Sequence, residues 1–214
     1  MIDNKGSGNT IEIHEAANLL KSHFSVTGNN NSVIIEEGVK ISHCNIRVKG
    51  HNIRVRIGRN VELTGCIASI FTNCSLTIEA YTTMGNGEIT IAEDTSLSIG
   101  KDCMFAHGYE IRTSDMHPIY DLKTGDRLNY GASINVGDHV WLGRDVAILK
   151  GVTISNNVVI GIHSVVSKNI ESPNSIAIGS PAKVIRNGVA WGRKMYHKTI
   201  YDDITLKEIV ENNQ

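Results

Sequence analysis

His117 stands in the polar stretch Arg112-Thr113-Ser114-Asp115-Met116-His117-Pro118-Ile119-Tyr120-Asp121, which continues through Gly125, Asp126, Arg127 and Asn129. An imidazole can take up a proton at neutral pH, and as a positioned general base it is worth about 100- to 10,000-fold in rate. Tyr109, Arg112, Asp115 and Tyr120 surround it in sequence and could orient it or bind hydroxyl groups. No G-x-S-x-G elbow or other nucleophile motif accompanies it. The four cysteines, at 44, 66, 74 and 103, form no C-x-x-C pair and read as small buried thiols rather than a zinc ribbon or redox site.

What positions this stretch is a repeat. Val136, Leu142, Ile148, Ile154, Ile160 and Val166 are six residues apart each time, with a second aliphatic series at Val140, Val146, Val152 and Val158. Six residues turn an α-helix by about 600 degrees, so a helix would scatter these positions around its circumference. A hairpin meander would show turn signals at uneven intervals. A coil of three short strands fits, with about 18 residues per turn and the same aliphatic position stacking from coil to coil.

The first half repeats at a longer period. Gly6, Gly28 and Gly50 each open a Gly/Asn-rich turn followed by an aliphatic strand, 22 residues apart, and Ile57, Ile78 and Ile99 follow at 21. Gly and Asn supply the positive backbone angles of sharp corners. The expected architecture is an all-β solenoid of about eight coils over residues 1–186, on the order of 40 Å tall at about 4.8 Å per coil. Residues 112–133 interrupt the period as a protruding loop, the kind of segment on which a rigid scaffold carries function. Residues 187–214 form a C-terminal extension, with a helix predicted over Thr205–Asn213 from its N-cap threonine and the Leu206/Val210 pair.

The 214 residues are 41% hydrophobic and 20% charged, with a net charge of -1. That balance excludes a disordered tail and a polybasic nucleic-acid binder. The longest apolar runs are too short for a membrane span, and the polar, Gly-rich start lacks the pattern of a secretory signal, so the expected location is the cytoplasm.

Several phrases carry a resemblance: Ser114 to Asp121, Val140-Trp141-Leu142-Gly143, Ile148 to Ile154, and Ile178-Gly179-Ser180-Pro181-Ala182-Lys183-Val184-Ile185-Arg186. Over about residues 28–190 the chain resembles the hexapeptide-repeat acyltransferases, and within them the bacterial sugar and capsular-polysaccharide O-acetyltransferases. The resemblance implies a left-handed parallel β-helix, a homotrimer, and acetyl-CoA lying between neighbouring subunits. It implies that His117 deprotonates an acceptor hydroxyl, which attacks the thioester directly. Trp141 would lie beside the pantetheine arm and thioester, and Gly143 and Arg144 would offer a backbone N–H to the developing oxyanion.

The same resemblance puts Ile162, Ser167 and Lys168 along the pantetheine and adenosine portion of CoA, and Lys183 and Arg186 at its phosphates. Two cations beside Pro181 also suit a polyanionic cofactor on physical grounds. For the saccharide acceptor, Asn86 and Asp94 repeat the spacing of the sugar-facing pair of galactoside acetyltransferases, and Asp115 and Tyr120 are further candidates. His107, His139 and His163 read as coil-surface residues. Two other classes compete. A γ-type carbonic anhydrase would need a histidine pair five residues apart, which this sequence lacks, and a non-catalytic solenoid would have no use for the loop. No metal is expected.

Overall fold

The computed structural model describes residues 2–195 and 199. The chain winds through eight coils into a three-sided prism whose faces are sheets of eight, seven and nine strands. Strands within a face pair in parallel, except that Ala182–Asn187 folds back antiparallel on Ser175–Gly179. The predicted helix over Thr205–Asn213 lies outside the described residues.

The hexad is the prism read along the chain. Val136, Leu142 and Ile148 belong to the second, third and first faces, and Ile154, Ile160 and Val166 repeat that order one coil on. Each therefore stacks on its counterpart: Ile57 on Ile78, Ile78 on Ile99, Ile99 on Val136 and Val136 on Ile154. Strand alternation turns these side chains inward, where they are fully buried, and leaves their polar neighbours outside. Burying an Ile, Leu or Val side chain contributes about 1.5–3 kcal/mol, so the stack is held by its aliphatic columns. All four cysteines pack in this interior as free thiols, and burial pushes Cys66 and Cys103 up to about 12.

The corners carry the Gly and Asn signal. Gly28 has φ +97, and a Cβ there would lie 1.9 Å from the Gly50 carbonyl oxygen of the next coil. Asn31 forms a rung at the same corner: its side chain accepts from the Ile53 N–H at 3.0 Å and donates to the Gly50 carbonyl at 2.9 Å. Ile99 and Val136 are 37 residues apart in sequence yet adjacent in the stack, because residues 113–133 leave the prism at the corner between the first and second faces.

Candidate active site

The loop leaves the strand Tyr109–Arg112 and returns at Ile134–Val136. Its base is a buried hydroxyl cluster in which Thr113 Oγ1 lies 2.6 Å from Thr95 Oγ1 and accepts from the Ala92 N–H at 3.1 Å. The corner of the coil below supplies Glu93. Its carboxylate accepts from Ser114 Oγ at 2.7 Å, Arg127 Nη2 at 2.7 Å and the Gly131 N–H at 2.8 Å. Those donors, the Arg127 guanidinium first, draw the carboxyl down from an ordinary 4.5 to about 2. The corner of the coil above supplies Lys150, which pairs with Asp115 and donates to the Asn129 carbonyl at 3.2 Å. Both ends of the loop are thus clamped by the stack it leaves.

Inside the loop, Asn129 is the tie. Its side chain donates to the His117 carbonyl at 2.9 Å and to Asp115 at 2.8 Å, and it accepts from the Ile119 N–H at 2.6 Å. Asp121 caps a turn by accepting from the Lys123 and Thr124 N–H groups. The backbone of His117 is fixed, while its imidazole is exposed and has no hydrogen-bond partner among the described residues. Asp115 is engaged by Lys150 and Asn129, whose bonds hold its carboxyl below the ordinary carboxylate range. Tyr120 is exposed and bridges Arg127 through the backbone. Tyr109 cannot serve the site, because it is a core residue, wedged over Gly87 where any Cβ would clash with its ring. Arg112 pairs with Glu110 and Glu88 on the first face.

The remaining candidates fall into separate groups. Ser167 and Lys168 lie at the same corner as the loop, two coils above its base. Asn86, Gly143, Arg144 and Ile162 lie at the corner between the third and first faces, with His107 and His163 exposed beside them. There Arg144 pairs with Asp145 at 3.3 Å, and His163 approaches the same carboxylate at 3.5 Å. A Cβ on Gly143 would meet the Ile162 nitrogen at 2.7 Å, so the two backbones are in close contact. Trp141 is 36% exposed on the third face. Lys183 and Arg186 are exposed on that face's edge strand with no ion-pair partner among the described residues.

Asp94 has φ +56 and accepts from Asn73 Nδ2 at 2.9 Å as a corner rung. The strand Gly87–Ile91 separates it from Asn86, so the two are not a local pair. The two populated corners are therefore opposite edges of the first face, about 17 Å apart for a five-residue strand. The loop is rooted at one of these corners, and Trp141 lies on the third face that leads to the other.

His139 departs from its expected place on the coil surface. It is buried, with Nδ1 2.7 Å from Asp102 and Nε2 2.9 Å from the Trp191 carbonyl. The cause is the C-terminal segment, which folds back over the third face and covers it. Trp191, Arg193 and Glu93 are structural residues that sequence reading missed, and Asn129 is visible in the loop sequence without a role. Asn129 ties residues 10 to 14 positions away within the loop, the other three act on partners more than 20 residues away, and only the corner position of Glu93, one coil below the loop, follows from the repeat.

A parallel three-faced solenoid with a clamped, histidine-bearing loop is the hexapeptide-repeat acyltransferase architecture. No family model matches the chain. It is 54% identical over 144 residues to a polysialic acid O-acetyltransferase of Neisseria meningitidis, a stretch spanning 67% of each chain. It is 35% identical over 122 residues to a polysialic acid O-acetyltransferase of Escherichia coli, which is 57% of this chain and 39% of that one. Among solved structures, the polysialic acid O-acetyltransferase OatWY matches with a TM-score of 0.96 at 54% identity, covering 97% of this chain and 99% of that one. The polySia-specific acetyltransferase NeuO matches with a TM-score of 0.91 at 30% identity, covering 100% and 98%. The chain belongs to the polysialic acid O-acetyltransferase family, and its solenoid is the left-handed β-helix of these enzymes.

Among the described residues, no cluster of His, Cys, Asp or Glu could hold a metal ion, and no helix is long and apolar enough to cross a membrane.

Proposed function

We propose that this enzyme transfers the acetyl group of acetyl-CoA to a hydroxyl of a polysialic acid or closely related bacterial surface polysaccharide, with His117 as general base. The imidazole takes the acceptor's proton as its oxygen forms the new bond to the thioester carbonyl carbon. The carbon–sulfur bond breaks, and the proton passes to the departing thiolate to give free CoA. The observation that carries the reading is an exposed His117 imidazole, without a hydrogen-bond partner among the described residues, on a backbone held by Asn129, in a chain 54% identical to a polysialic acid O-acetyltransferase.

A homotrimer completes the site in this reading. A neighbour's third face, bearing Trp141, and its corner with the first face, bearing Gly143, Arg144 and Ile162, meet the loop edge of the next chain, and acetyl-CoA occupies the groove between them. Ser167, Lys168, Lys183 and Arg186 then line the CoA tail, while Asn86, Asp115 and Tyr120 border the saccharide. The reading takes the enzyme to act in the cytoplasm.

Purified enzyme assayed with acetyl-CoA and a panel of saccharides that includes polysialic acid and simple galactosides tests the substrate class by thiol release. Release with sialic acid polymer above the galactosides is expected. His117→Ala should cut turnover at least about 100-fold and leave acetyl-CoA affinity near wild type. A near-active variant, or activity confined to galactosides, overturns the corresponding part.

A further inference from the structure

After the edge strand Ala182–Asn187, the chain turns back and runs down the third face as a strap. Val189 is tied at the top, its N–H donating to the Asn174 carbonyl at 2.9 Å and its carbonyl accepting from Asn157 Nδ2 at 3.0 Å. One coil level lower, Trp191 is buried against His139, with ring centroids 4.1 Å apart and planes 13° from parallel. Its indole N–H donates to the His139 carbonyl at 2.8 Å, and its own carbonyl faces His139 Nε2.

Lower again, Arg193 donates to Asp102 Oδ1 at 2.9 Å, Thr83 Oγ1 at 2.8 Å and the Cys103 carbonyl at 2.8 Å. Asp102 thus receives His139 on one oxygen and Arg193 on the other. Burial raises its carboxyl, and these two partners outweigh burial, leaving it below the ordinary value. Both ring nitrogens of His139, both carboxylate oxygens of Asp102 and all three guanidinium nitrogens of Arg193 lie within hydrogen-bond distance of a polar partner, while Asn157 Oδ1 at the top of the strap is buried without one among the described residues.

This latch contributes nothing to the interior columns, since the strap lies wholly outside the prism. What it places is an indole beside Trp141, with ring centroids 5.9 Å apart and planes at 46°. Trp141 is held in the sheet by Met104 and Val159 on either side, so its backbone is fixed and its exposed ring is the free variable. We propose that Trp191 is a positioning residue for acyl transfer: the strap, latched by His139, Asp102 and Arg193, fixes the orientation of the Trp141 ring. The inference rests on the reading that Trp141 lies beside the thioester. A ring displaced by about 1 Å in such a site can cost on the order of 100-fold in rate.

The chain has two tryptophans, so each variant at one leaves the other as the sole indole fluorophore. Trp191→Ala should lower kcat/KM for acetyl-CoA by about 10-fold or more without changing the acceptor KM, and should shift Trp141 emission to the red. Trp191→Phe, which restores an aromatic neighbour, should stay within about 3-fold of wild type. Unchanged acetyl-CoA kinetics in Trp191→Ala would overturn the proposal, as would equal losses in the Ala and Phe variants that track a lowered Tm. Trp141→Ala separates the two levels. If it leaves acetyl-CoA kinetics intact, the donor-site reading itself falls; if it impairs them while Trp191→Ala does not, only the positioning role falls.

Discussion

Replacing Glu93 by Gln perturbs the loop at one point without entering the aliphatic columns. The native carboxylate serves three donors at once, Ser114, Arg127 and Gly131, whereas the amide offers a single acceptor oxygen and turns an NH2 toward the Arg127 guanidinium. The fall of the carboxyl from 4.5 to about 2 corresponds to a ceiling of about 3 kcal/mol of linkage. Solvent reaching a side chain that is 27% exposed lowers the realised value. Because the folded value is depressed, this contribution is present in full above about pH 4.5 and is lost as pH falls toward 2. Glu93 therefore stays ionised between pH 5 and 8, and a fall in rate across that range does not come from this anchor.

With the lower clamp weakened, Asp115 still holds Lys150 and Thr113 still holds Thr95, so the loop stays attached but shifts. Glu93→Gln should lower kcat by about 10- to 100-fold with acetyl-CoA affinity close to wild type. Tryptic cleavage after the exposed Lys123 should accelerate. Arg127→Gln should act in the same direction, and the double variant should be little worse than either single one. Wild-type kcat with unchanged cleavage at Lys123 would refute the anchoring argument, and additive losses would give Glu93 and Arg127 separate roles.

Lys183→Ala combined with Arg186→Ala should chiefly raise the apparent KM for acetyl-CoA, with a smaller loss for a donor lacking the 3'-phosphate. Equal losses for both donors would leave these exposed cations as solvated surface. Chelation should leave activity unchanged, and zinc-restored inactivation would revive a metal-dependent reading. Mixing inactive His117→Ala with inactive Trp141→Ala subunits should restore activity, since one chain carries the two residues on different parts of the prism. Subunit exchange without recovery would place both in a site built by one chain.

The hexad made the core legible because a solenoid repeats one contact: Ile57 meets Ile78 for the same reason that Val136 meets Ile154. The loop was legible as the place where that contact skips 37 residues, from Ile99 to Val136. Its proposed role rests on the resemblance around His117, and its clamp was not legible, because Glu93 to Gly131 and Lys150 to Asp115 are single contacts that leave no period.

His139 shows where reading by position reaches its end. Its place in the coil is an ordinary corner, with φ +53 like the corner asparagines, and the repeat assigns it to the surface. It is buried because Trp191 arrives from outside the repeat, 52 residues later, and presents a ring and a carbonyl to it. A repeat predicts what each coil does to the next; it cannot predict what a non-repeating strap does to a face. The residues that distinguish this chain from a bare solenoid, His117 on the loop and Trp191 on the strap, accordingly sit on the two segments that leave the period.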